Sequence, residues 1–168
     1  MFAFVFLIRF LAIGLLVTLP GAVAAAAETV GTVTKVQNQA QVGNASATVG
    51  TPVRMNDALR TGANARLEIT FRDRTKLTLG ENARIVIDRY AFNPSQGSGE
   101  MTVRAARGAV RFVTGKIGQM KDHEVTVVTS QAALAVRGTD VWVGPIDGQY
   151  GALLLKGNVR VIGRRPKK

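Results

Sequence analysis

The 168-residue chain has no cysteine and a single histidine, which removes disulfides, thiolate nucleophiles and every cysteine-containing zinc site from consideration. Negative charge is also scarce, 11 Asp+Glu against 22 Lys+Arg, so the partners to expect carry negative charge or are indifferent to it. Aromatic residues make up 6%, and four of the seven phenylalanines fall within the first ten positions. Downstream there remain Phe71, Phe92, Phe112, Tyr90, Tyr150 and Trp142, a thin supply for stacking on bases, so nucleic acid is not an expected partner. Long apolar runs are confined to the amino terminus, and no transmembrane span is expected after it.

That terminus reads as an export leader. Arg9 and the free amine precede the apolar core Phe10 to Leu19, Pro20-Gly21 interrupts it, and the alanines from Ala22 to Ala27 suit a signal peptidase. A retained membrane anchor would have to place Arg9 in mid-bilayer at about 2.5 to 3.5 kcal/mol, which favours cleavage after Ala27 and a periplasmic product. Residues 1–27 are thus assigned to the leader, 28–163 to one domain and 164–168 to a basic tail. Cleavage leaves 141 residues. Arg9 is the only charged side chain lost, so 21 Lys+Arg face 11 Asp+Glu, a balance of +10.

The rest alternates with a period of two between Gly, Asn, Asp and Pro clusters, the mark of many short strands. Ala65 to Phe71 puts Leu67, Ile69 and Phe71 on one face and Arg66, Glu68 and Thr70 on the other. Arg72 to Thr75 then reads as a hairpin turn into Leu77 and Leu79. Further strands are expected over 83–90, 101–106, 109–113, 124–128, 132–136 and 141–143. A closing hairpin is expected at Lys156-Gly157-Asn158, between Ala152–Leu155 and Val159–Ile162. Asn93 to Gly99 reads as a flexible insertion, and Gly115 to Asp122 as a polar connection exposing Lys116 and Lys121. Glycine-led echoes at Gly31, Gly108 and Gly157 are unevenly spaced, so they mark turns that launch strands rather than a solenoid repeat. The fold expected is all-β: a rolled or sandwiched, antiparallel-rich sheet of the β-roll or β-helix kind.

Several segments carry a resemblance. Asp57-Ala58-Leu59-Arg60-Thr61-Gly62, the strand to Phe71, Asp73 and Leu77-Thr78-Leu79 resemble the first half of the FecR periplasmic domain. Val128 to Ala132, Val136-Arg137-Gly138-Thr139-Asp140-Val141-Trp142-Val143 and Lys156 to Val161 resemble its second half, the Val-Arg-Gly-Thr run being the most specific part. Asn56, Ser130 and Arg74 depart from the family's glycine, proline and hairpin glycine. Because arginine tolerates positive φ poorly, a type I turn with a bulge is expected there. The resemblance implies a periplasmic sensor or signal-relay domain. The cytoplasmic and receptor-contacting regions of full-length regulators have no counterpart in this sequence, which argues for a stand-alone envelope module.

No residue set suggests catalysis, a cofactor or a metal. His123 lacks companion ligands, Ser98 lacks a following helix, and nothing in the spacing of Asp73, Glu81 and Asp88 pairs them for hydrolysis. Asp57, Thr61, Gly62, Asp73, Arg137, Gly138 and Thr139 are read as structural motif residues. Arg137 is expected to clamp Asp57 or Asp140, and Gly138-Thr139 to form a bulge. Trp142 alternates with Val141 and Val143, and is read as core in a two-layer fold; with Lys116 and Lys121 it is also a candidate for partner contact. The arginines at 66, 72, 74, 84, 89, 104, 107 and 111 fall on the polar phase. The function expected is a non-catalytic binding or signal-relay module acting through contacts with an envelope protein. The alternative is a binder of anionic envelope polymer, peptidoglycan or lipopolysaccharide, through this basic surface.

Overall fold

A computed structural model describes residues 28–163; the leader and the basic tail lie outside the described residues. Thirteen strands follow one another: β1 Thr29–Gln37, β2 Ala40–Val42, β3 Ala45–Ser46, β4 Pro52–Arg54, β5 Ala58–Thr61, β6 Arg66–Phe71, β7 Lys76–Leu79, β8 Arg84–Asn93, β9 Ser98–Arg107, β10 Val110–Val113, β11 Asp122–Val128, β12 Ala132–Ile146 and β13 Gln149–Gly163. A single 3₁₀ turn, Ile117–Gln119, is the only helical element among the described residues. The strands form one continuous sheet in the order β3-β2-β5-β8-β9-β11-β12-β10-β7-β6-β1-β4, with β13 added on β12. It curls strongly into a half-barrel, so the rolled form of the expected fold is the one adopted. Pairing is antiparallel throughout except between β9 and β11.

Curling turns one face of every central strand inward. In β6 the alternation read from the sequence holds: Leu67, Ile69 and Phe71 are buried, Arg66 is exposed, and Glu68 and Thr70 are half-buried. Leu77 and Leu79 of β7, Ile85 and Ile87 of β8, Met101 and Val103 of β9, Phe112 of β10 and Val141 and Val143 of β12 join them in one core. Burying side chains of this size is worth about 1.5 to 3 kcal/mol each relative to exposure, which is the main force holding so irregular a strand order together.

Four local expectations need correction. Lys156-Gly157-Asn158 is not a hairpin, because β13 runs unbroken through it. The chain reverses instead at Asp147-Gly148, both at positive φ (49° and 79°), the two-residue turn whose twist suits a hairpin. Gly157 (φ 88°) marks an irregularity in the β12–β13 pairing, where a Cβ would strike the carbonyl oxygen of Gly138. Asn93 to Gly99 is a tight β8–β9 turn rather than a flexible insertion, with Asn93 Oδ1 accepting from the Ser95 hydroxyl at 2.7 Å and the Gln96 N–H at 3.3 Å. Gly115 to Asp122 is more than a polar connection, since Ile117 is fully buried and helps close the core. Of the three glycine echoes only Gly108, between β9 and β10, sits in a turn that launches a strand.

At Arg72 to Thr75 the expected turn with a bulge is present. The Arg74 N–H donates to the Phe71 carbonyl and the Phe71 N–H to the Thr75 carbonyl, each at 2.9 Å. The aversion of arginine to positive φ is not the reason for it: Arg74 itself takes the left-handed conformation, at φ 70°, as a type I turn followed by a G1 bulge requires of that position. Among the described residues no helix is long and apolar enough to cross a membrane.

Candidate functional site

The motif residues fasten turns. Asp57 Oδ2 accepts from the Arg54 N–H at 2.8 Å. Thr61 is buried; its hydroxyl donates to the Gly80 carbonyl at 2.6 Å and accepts from the Ala83 N–H at 2.9 Å, tying β5 to the β7–β8 turn. The Gly62 N–H donates to the Gln39 carbonyl at 2.9 Å.

Asp73 does more. It is completely buried, and its carboxyl accepts from the Thr75 hydroxyl (2.6 Å), the Thr75 N–H (3.1 Å), the Ile117 N–H (3.2 Å) and the Tyr90 hydroxyl (3.3 Å). Its N–H donates to the Tyr90 oxygen at 2.9 Å, and its carbonyl accepts from the Lys116 N–H at 2.7 Å. One side chain thereby locks the β6–β7 turn, β8 and the segment that presents Lys116. Burial, and then the nearby negative charge of Asp73, push the Tyr90 hydroxyl well above its ordinary pKa. Its ring stacks on Phe71 with centroids 5.6 Å apart. The sequence marked Asp73 as a motif residue but held no sign of Ile117 or Tyr90 as its partners.

The clamp expected of Arg137 belongs to Arg111. Arg111 holds Asp140 by two bonds, Nε to Oδ1 at 2.9 Å and Nη2 to Oδ2 at 2.6 Å, and this pair keeps the Asp140 carboxyl below its usual range. The register explains the exchange: β10 lies antiparallel to β12 with Val113 opposite Asp140 and Arg111 opposite Trp142, so the two side chains meet diagonally. Arg137 is exposed and forms no ion pair among the described residues. It lines a shallow groove of about 440 Å³ with Lys121, His123, Glu124 and Arg160. His123 is half-buried within β11, its Nδ1 2.6 Å from the Met120 carbonyl. Pairing shifts register between Arg137 and Asp140, so Gly138-Thr139 forms the irregularity; the buried Thr139 hydroxyl donates to the Asn158 carbonyl at 2.8 Å. Glu81, which accepts from the Asn64 N–H, and Asp88, paired with Arg104, serve separate contacts.

Trp142 is not core. Val141 and Val143 fill the interior, and the indole lies half-buried on the opposite face, as strict alternation along one strand requires. There the register aligns one residue from each of six strands into a row: Lys35, Glu68, Thr78, Arg111, Trp142 and Leu153. The row lines a groove of about 840 Å³ that is charged at its β1 end and apolar at its β13 end. The apolar end continues onto β13, where Leu153, Leu154, Leu155, Val161 and Ile162 are 46–64% exposed. Trp142 and Lys121 therefore border different grooves, and Lys116 stands apart from both.

A family model described as FecR protein matches residues 57–160, more than half of the chain, and spans Asp57, Asp73, Arg137 and the groove strands other than β1. The chain belongs to the FecR family. Neither curated proteins nor solved structures give a match. FecR membership marks the chain as a signal-relay or regulatory module of a kind typically associated with the cell envelope.

Proposed function

We propose that this FecR-family chain is a non-catalytic, exported envelope module that relays a signal by taking up an extended segment of a partner protein on its β12–β13 arm. One observation carries the reading: β13 runs for fifteen residues, pairs among the described residues with β12 alone, and exposes five large aliphatic side chains. An open edge of this kind is a template for strand addition, with backbone hydrogen bonds supplying affinity and side-chain pockets supplying selection. The groove beside Trp142 supplies a pocket next to that edge, and Glu68, Lys35 and Arg111 supply charge for orientation.

The test is site-specific photocrosslinking in intact cells. A probe at Leu154 should capture one protein partner, whereas the same probe at Thr126 on β11 should not, and Leu153→Asp together with Leu155→Asp should abolish the product. Equal capture from both positions, or a product of twice the chain's own mass, would remove the partner-docking reading. Because the contact is largely apolar, added salt should weaken it little; steep salt dependence would favour the anionic-polymer alternative. Amino-terminal sequencing of the envelope product should begin at Glu28.

A further inference from the structure

A second surface stands apart from that arm. Strands β2, β5, β8 and β9 lie side by side, and their register sets Gln41 opposite Arg60, Arg60 opposite Arg84, and Arg84 opposite Arg107. The neighbours Leu59 and Ile85 are buried, so Arg60 and Arg84 leave the outer face side by side, and Arg107, exposed at the end of β9, comes opposite Arg84 through a bulge between Arg84 and Ile85. Directly opposed residues on one face have Cβ atoms about 4.5 to 5.5 Å apart, and like charges so placed weaken a sheet.

Four arginines elsewhere are neutralised, while others among the described residues, Arg137 included, are not. Arg72, Arg89, Arg104 and Arg111 each meet a carboxylate, from Glu28, Glu100, Asp88 and Asp140 respectively. Among the described residues none is given to Arg60, Arg84 or Arg107. Arg60 Nη1 instead donates to the Gly43 carbonyl at 3.0 Å, which anchors its guanidinium beside the end of β2.

We infer that the Arg60–Arg84–Arg107 row is a binding site for a phosphoryl oxyanion, independent of partner docking on β13. A carboxylate offers two oxygens and is satisfied by one bidentate guanidinium, as the Arg111–Asp140 pair shows. A phosphoryl group spreads more charge over more oxygens and bridges two guanidinium groups at once, with the Gln41 amide as a neutral donor at the end of the row. Binding would relieve the like-charge repulsion within the row. The phosphoryl group could belong to a lipid headgroup or to a free phosphate compound.

Calorimetric titration of the protein with inorganic pyrophosphate, alongside co-sedimentation with phosphatidylcholine vesicles with and without phosphatidylglycerol, separates the two sources. Arg84→Gln should weaken binding about tenfold or more, since it removes a charge-assisted contact. Lys76→Gln, which deletes the same charge from β7, should leave binding nearly unchanged. Arg84→Gln should also melt at the same temperature as the parent or higher, because a like-charge contact is relieved. Pyrophosphate binding lost in Arg84→Gln supports the site with a free ligand, and binding confined to phosphatidylglycerol vesicles and lost in the same variant supports it with a headgroup. No binding in either arm, equal losses in both variants, or a lowered melting temperature in Arg84→Gln overturns the inference.

Discussion

Replacing Asp73 with alanine should be among the costliest changes in the sheet that leave the hydrophobic core intact. Its carboxyl is fully buried and takes four hydrogen bonds, two of them from the peptide N–H groups of Thr75 and Ile117. The Thr75 and Tyr90 hydroxyls can rotate toward other acceptors, but the two peptide groups cannot. Each stranded buried donor costs about 1 to 3 kcal/mol. Part of this is returned because the variant no longer desolvates a carboxyl group, so a net loss of about 3 kcal/mol is expected. Urea denaturation followed by circular dichroism at neutral pH reads that loss, and in a thermal scan it corresponds to a fall of about 10 °C for a domain of this size. Asp73→Asn keeps one acceptor oxygen but turns an amide N–H toward existing donors, so it should fall between parent and alanine variant. Thr75→Val removes a hydroxyl that donates to Asp73 and accepts from the Gly115 N–H at 2.9 Å, and should cost less than Asp73→Ala. A loss below about 1 kcal/mol for Asp73→Ala, the size of an ordinary substitution, or a larger loss in Thr75→Val, would refute the view that this carboxyl holds the two turns and β8 together.

Both tyrosines of the chain have hydroxyl pKa values raised by burial, with Asp73 adding to the effect at Tyr90. Ultraviolet titration of the native protein should therefore show little tyrosinate near pH 10, while the urea-unfolded chain ionises there normally. Because the folded-state values lie above the unfolded ones, their contribution to stability is fully present below about pH 10 and is lost as pH rises beyond it. For Asp140 the sign reverses: Arg111 depresses its folded pKa, so its contribution is present above about pH 4, the unfolded value, and disappears as pH falls through the folded one. Arg111→Gln should move the Asp140 carboxyl resonance back toward the ordinary range in an NMR titration. Arg137→Ala, at an exposed position without an ion-pair partner, should change stability by less than about 0.5 kcal/mol in denaturant melts. Phe112→Ala, which empties a fully buried position in β10, should cost about 3 to 5 kcal/mol by the same measurement.

Side-chain alternation told which residues of a strand share a face, and this sufficed for Leu67, Ile69, Phe71, Leu77 and Leu79. It also put Trp142 opposite Val141 and Val143, and the indole was misplaced only where two buried faces were assumed. The reversal at Asp147-Gly148 was legible in principle, since an Asp-Gly pair between apolar strands is a hairpin signal, but Gly157 competed for the same role. The two glycines differ in what lies across from them. Gly148 faces open space, whereas Gly157 packs against the backbone at Gly138, and that contact joins residues distant in sequence.

The chain's order of residues by itself determined an all-β domain, its inward-facing side chains, its basic balance and its family motifs, because each depends on local periodicity, composition or short spacing. Only the tertiary structure decided that Arg111 rather than Arg137 holds Asp140, that Asp73 gathers donors from its own β6–β7 turn, β8 and the 3₁₀ turn, and that three arginines from β5, β8 and β9 stand in one row. These outcomes follow from strand order and register, set when a curled sheet seals a common core. No single strand carries the information about which distant strand will lie beside it.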